Sequence, residues 1–105
     1  MNPKLGEVWL VDMGMVGKIR PAVVVLDHQL PVERAIIVHV PVTSQNRDSQ
    51  LEVSLGHLPF LSPESVANVQ GIGSLPRTRF ERKLGTLPAA DLGRIRSAMR
   101  LAFGL

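Results

Sequence analysis

The chain has 105 residues, 45% of them hydrophobic, with twelve Lys and Arg against nine Asp and Glu. That is enough for one domain with a single core spanning 1–105, and too apolar for a disordered tail. No apolar run approaches the roughly 20 residues of a membrane helix, and the absence of cysteine excludes disulfides and thiolate metal sites.

Residues Met1 to Glu7 contain no apolar signal-like region, so a cytoplasmic protein free of the membrane is expected. Glu7 to Asp12 is β-rich and ends at a turn between Gly14 and Gly17. Pro21 to Asp27 is a continuous apolar run with three successive valines, the pattern of a strand buried on both faces. His28 to Glu33 contains Pro31 and reads as a hairpin loop, and Ala35 to Thr43 as a third strand. After a polar loop at Gln45 to Ser49, Gln50 to Leu55 alternates, with Leu51, Val53 and Leu55 on one face and Glu52 and Ser54 on the other.

Pro59 and Pro63 mark Gly56 to Ser65 as an irregular crossover. Val66 to Gln70 and Ile72 to Leu75 are short strands, and Gly71 and Gly73 predict a bulge or sharp bend between them. A last strand fits within Phe80 to Leu87. Pro88 to Phe103 is an amphipathic helix, with Leu92, Ile95, Met99, Ala102 and Phe103 on one stripe and Asp91, Arg94, Ser97 and Arg100 off it. Short antiparallel strands followed by one helix predict a mainly β fold, a small bent barrel with the helix packed against it. So small a core makes oligomerisation an expected source of further stability.

The formal charge is +3, and the basic residues crowd between Arg77 and Arg100. Such a bias permits nucleic acid or an acidic partner, and equally a solvated basic face. Two polar-tipped strand ends sharpen the choice. Lys18 and Arg20 lead into the strand after Pro21, and Thr43, Ser44 and Gln45 close the strand containing Ile36, Ile37 and Val38. An Arg and a hydroxyl on rigid strand ends can form an anion-binding pair, and a phosphodiester is the natural anion for a basic chain. The competing reading is an ion pair of Arg20 with Glu7 or Asp12, and a simple turn at Thr43 and Ser44. His39 within a strand is expected to be buried; His28 and His57 fall in loops. No His, Asp or Glu spacing suggests a metal site or cofactor. Trp9 stacks a base or packs in the core, and Asn68 and Gln70 read base edges or belong to sheet and subunit contacts.

Taken in order, Gly6-Glu7-Val8-Trp9-Leu10-Val11-Asp12, Arg20-Pro21-Ala22-Val23-Val24-Val25, Pro41-Val42-Thr43-Ser44, Ser65 to Gln70 and Arg82 to Leu87 resemble the PemK/MazF family of toxins. The resemblance spans nearly the whole chain. It implies an SH3-like barrel with a C-terminal helix, acting as a homodimeric, metal-independent endoribonuclease on single-stranded RNA. It also implies an acidic antitoxin that covers the RNA site, with DNA bound only indirectly through the antitoxin complex. On this resemblance Arg20 and Thr43 are the catalytic residues, supported by Lys18, Ser44, Gln45, Gln70 and Arg77. Family accounts give the matching Arg an acid–base role, which its pKa above 12 opposes; gripping phosphate oxygens suits a guanidinium better.

Two departures from the family pattern stand out. The loop Met13 to Lys18 is short and apolar, and Gln70 is followed by Gly71-Ile72-Gly73-Ser74-Leu75 rather than by a basic residue, Thr and Asp. Arg77 or Arg79 is the candidate to compensate in space. Because fold does not fix function, the same architecture also admits a toxin that poisons a protein such as DNA gyrase through its C-terminal helix, or an inactive binding module.

Overall fold

A computed structural model describes residues 2–14, 18–27 and 34–105. The strands are β1 (Glu7–Asp12), β2 (Ile19–Val24), β3 (Ile36–Thr43), β4 (Glu52–Ser54), β5 (Val66–Asn68), β6 (Gly73–Pro76) and β7 (Phe80–Thr86), followed by helix α1 (Ala89–Phe103). They lie in the order β4-β5-β3-β2-β1-β7, with β6 also paired to β3. All pairings are antiparallel. This is the expected mainly β fold with a C-terminal helix, but the sheet rolls without closing its hydrogen-bonded ring among the described residues. The hairpin loop at 28–33, with His28, and residues 15–17 of the loop before β2 lie outside the described residues.

The Gly71 and Gly73 signal corresponds to an interrupted strand. β5 pairs Ala67 with Val42 and β6 pairs Gly73 with His39, so five residues on one strand face two on the other. The excess is taken up by a 3-10 turn at Val69–Gly71. This tight turn drives Val69 into the core and leaves Gln70 on the surface.

Two apolar clusters occupy opposite faces of the sheet, as strand alternation requires. The larger one gathers Val8, Val23, Val40, Val42, Val53, Leu55 and Ala67 beneath Ile95 and Ala98 of α1. The smaller one holds Trp9, Val11, Ala22, Val24, Ile37 and Phe80. β2 divides its residues between them, Val23 to one and Ala22 and Val24 to the other, which explains its unbroken apolar sequence. Pro21 is accommodated because β3 pairs with β2 only from Ala22 onward.

Helix α1 departs from the expected stripe. Ile95 and Ala98 are buried and Leu92 and Met99 pack against the core, but Leu101 and Phe103 are more than half exposed. Asp91, expected in solvent, is buried. Its Oδ1 accepts from Arg94 Nη2 at 2.6 Å and lies 3.0 Å from His57 Nε2. The crossover loop is thereby tied to the first turn of the helix, where a carboxylate also meets the positive end of the dipole. Gly104 ends α1 with φ of 69°, its N–H reaching back to the last turn.

Candidate functional site

The β2–β3 register builds the site. Ala22 pairs with Pro41, and two residues further along each strand lie Arg20 and Thr43, on the same face as that pair. Thr43 in turn pairs with Val66 of β5, and Asn68, two residues on, pairs with Glu52 of β4. A row of polar side chains therefore crosses four strands at one end of the sheet. It ends up together because each strand contributes a residue of the same parity.

Arg20 and Thr43 stand at the waist between two grooves. One, of about 410 Å³, is lined by Gln45, Arg47, Glu52, Asn68 and Gln70 along with the central pair. The other, of about 550 Å³, runs the opposite way past Lys18, Ser44, Phe60, Ser62 and Arg82. Lys18, Arg20, Thr43, Ser44, Gln45 and Gln70, all expected from the sequence, are thus assembled around one centre.

Arg77 is not among them. Its guanidinium lies 5.4 Å over the ring of Trp9, on another part of the sheet. Arg79 is turned to Asp12, at 3.7 Å from its carboxylate. Neither arginine lines either groove. Trp9 is 7% exposed, donates from Nε1 to Glu7 at 3.0 Å, and packs in the smaller core rather than standing ready to stack a base.

The two carboxylates that compete for Arg20 are both engaged elsewhere. Glu7 accepts from Trp9, from the Lys4 backbone at 2.8 Å, and from Lys83 Nζ at 3.0 Å. Burial pushes its pKa up, but these donors outweigh burial and hold it below the ordinary carboxylate value. Asp12 is held by the Gly14 N–H and Arg79. Among the described residues Arg20 makes no ion pair, and it is exposed. An unpaired guanidinium on a strand end, facing a groove, is arranged for an anionic ligand.

Thr43 Oγ1 accepts from the Gln45 N–H at 3.1 Å. That bond fixes the hydroxyl oxygen and leaves its proton free to donate. The loop beyond is folded around Glu52, whose carboxylate accepts from the backbone N–H groups of Arg47 at 3.0 Å and Ser49 at 2.8 Å. Asp48 is left-handed with φ of 54°, and the Asn46 side chain accepts from its N–H. Arg47 and Glu52 therefore belong to the groove, and the sequence offered only a polar loop and an alternating strand as their signal.

His39 is 5% exposed, as expected from its place in β3, and meets the Phe80 ring edge-on with centroids 6.0 Å apart. Burial lowers its pKa below the ordinary histidine value, against a weaker opposing contact from the Ile37 carbonyl. It is a core residue rather than a base at the groove. Among the described residues no group of three His, Asp or Glu is placed to hold a metal ion. No described helix is long and apolar enough to cross a membrane.

Comparison with known proteins agrees with this architecture. An endoribonuclease from a Mycobacterial species, solved with its cognate antitoxin, superposes with a TM-score of 0.85 at 25% identity, over 98% of this chain and 96% of that one. MazF from Deinococcus radiodurans gives a TM-score of 0.82 at 28% identity, over 100% and 99%. A MazE–MazF complex from the same organism shares the fold, with a TM-score of 0.84 at 24% identity over 100% and 98%. The family model of PemK-like, MazF-like toxins of type II toxin–antitoxin systems matches residues 4–103, and the chain belongs to that family.

Proposed function

We propose that this protein is an endoribonuclease toxin that cleaves single-stranded RNA at the Arg20–Thr43 centre without a metal ion. The observation that carries the proposal is the Arg20 guanidinium, without an ion pair among the described residues, which lines the same two grooves as Thr43. RNA supplies its own nucleophile. The 2′-oxygen bonds to phosphorus as the P–O5′ bond breaks; the 2′-OH proton leaves to a base and a proton arrives on the departing O5′. The products are a 2′,3′-cyclic phosphate and a 5′-OH end.

Between them lies a phosphorane with extra negative charge on its non-bridging oxygens. Arg20 carries a permanent charge and a two-pronged donor set that matches those oxygens. Thr43 donates its free proton to one of them and fixes the geometry. Lys18, Ser44, Gln45 and Gln70 bind the flanking nucleotides and make cleavage sequence-selective. Asn68, between Gln70 and the centre, is suited to reading a base edge.

Membership of a toxin–antitoxin family supports a cognate antitoxin as the second partner. An acidic, flexible antitoxin segment complements the exposed Arg20, Lys18 and Arg47 and neutralises the toxin by covering them. DNA is reached only through that complex. Exposed Leu101, Phe103 and Leu105 at the end of α1 support burial in a homodimer.

The test is digestion of a long single-stranded RNA in EDTA by the parent, Arg20→Ala and Thr43→Ala. We expect 5′-OH ends from the parent and a rate at least about 100-fold lower in Arg20→Ala, the loss typical of removing an oxyanion donor. Intact RNA with the parent, or undiminished cleavage by Arg20→Ala, would overturn the assignment.

A further inference from the structure

The second groove has a wall that the catalytic reading leaves without a task. Phe60, in the crossover between β4 and β5, is half-buried and lines this groove together with Arg82 and Leu84 of β7. Its ring is seated directly on the backbone of β7. A Cβ built on Gly85 would come within 2.5 Å of Phe60 Cε2, so a glycine there is what allows the ring to lie so close. The crossover is held from behind as well. Gly56 passes so near Pro63 that an added Cβ would meet the Pro63 carbonyl oxygen at 1.7 Å, and Ser62 and Ser65 share a hydroxyl hydrogen bond at 3.0 Å. Phe60 is therefore a rigid apolar surface rather than a loose loop residue.

Its surroundings are cationic. Arg82 and Lys18 line the same groove, both are exposed, and neither makes an ion pair among the described residues. The groove is continuous with the proposed centre, since Arg20 and Thr43 form a wall of both. A fixed aromatic ring beside unpaired cations, next to a phosphate-binding pair, matches one nucleotide of a single strand: a base for the ring and a phosphate for the guanidinium.

We propose that Phe60 and Arg82 form a nucleotide subsite adjoining the scissile phosphate, with a base stacked on Phe60 and the next phosphate paired to Arg82. The proposal rests on the RNA-cleavage reading and adds to it the residues that hold the strand on one side of the cut. Phe60 supplies affinity with little choice among bases, because every base presents a π-face. Discrimination then falls to the opposite groove, where Asn68 and Gln70 offer hydrogen-bonding amides.

The experiment is a titration of a short, fluorescently labelled single-stranded RNA, 2′-O-methylated throughout to block cleavage, followed by anisotropy at several salt concentrations. Phe60→Leu is expected to weaken binding about tenfold, within the range for losing one stacked base, while Phe60→Tyr binds as the parent does. Arg82→Gln is expected to reduce the slope of log K against log salt by about 0.7, the loss of one phosphate contact on a single strand. Thermal melting of each variant separates lost binding from lost folding. Parent-like affinity in a folded Phe60→Leu variant, or an unchanged salt slope in Arg82→Gln, overturns the subsite. A parent that binds this RNA but leaves unmethylated RNA intact overturns cleavage alone, and the subsite is still decided by the same titration. A parent that does not bind RNA overturns both.

Discussion

Arg20 and Arg94 are both exposed arginines beside grooves, yet the structure uses them in opposite ways. Arg94 is consumed by the fold: its Nη2 donates to Asp91 at 2.6 Å and to the Ser54 carbonyl at 2.7 Å, bracing helix against strand. Arg20 has no such partner among the described residues, because Glu7 and Asp12 are held by Lys83 and Arg79. A guanidinium already bound on two sides has little left to offer a ligand. One left open at a rigid strand end retains its charge and its donor geometry for use. Charge alone does not mark a site; a charge whose nearby counter-ions are already occupied does.

The strongest way to break this comparison is to exchange Arg20 for a residue with equal charge and different geometry. Arg20→Lys is expected to lower the RNA cleavage rate by about 100-fold with an unchanged melting temperature, because an ammonium cannot grip two phosphate oxygens in one plane. Near-parental cleavage by Arg20→Lys would mean that only the charge matters there.

The corresponding test of the Arg94 corner is Asp91→Asn. It weakens the anchor of both Arg94 and His57 and is expected to cost about 1–3 kcal/mol of stability, read as a lower denaturation midpoint. Cleavage per folded molecule should be unchanged. An equal loss of activity would show that the two corners are coupled.

The same pair yields a pH signature. The Arg94 hydrogen bond, opposed by burial and aided by His57, holds the Asp91 carboxyl below its ordinary value of 3.8. Its stabilising contribution is therefore complete above pH 3.8 and lost as pH falls through the lower folded-state value. Denaturant midpoints of the parent and Asp91→Asn should converge below pH 3.8; a constant gap down to acid would refute the link.

A smaller effect comes from His39. Burial lowers its pKa from 6.5, so the unfolded chain binds the proton more tightly. Its penalty is absent above pH 6.5 and grows as pH falls toward the folded-state value. His39→Phe should flatten the stability profile just below pH 6.5 relative to the parent, and parallel profiles would exclude His39 as the source.

Much of the fold is legible along the chain. The β2 segment announces burial on both faces because Ala22, Val23 and Val24 leave no polar face for water, and the sheet does place them in two cores. Gly71 and Gly73 announce a break, and the chain turns there because three extra residues must be absorbed opposite β3. The helix stripe was less legible. Ala102 and Phe103 satisfy the helical period but are exposed, while Asp91 is buried where Arg94 and His57 meet it. Periodicity describes one element by itself; burial also depends on what packs against it.

The site divides the same way. Residue type and position along the strands leave Arg20 and Thr43 readable either as an anion-binding pair or as an ion pair and a turn, and it is the resemblance to the PemK/MazF family that singles them out as catalytic candidates. What the order does not contain is which strand ends meet. While the crossover seats Phe60 on Gly85, strand pairing sets Arg20 toward Thr43 across β2–β3 and brings Asn68 and Glu52 alongside across β3–β5 and β4–β5. It also carries Arg77 away to Trp9, although Arg77 looked equivalent to the others in sequence. Local chemistry is written residue by residue, whereas the choice among similar cations is made by strand pairing across long sequence separations.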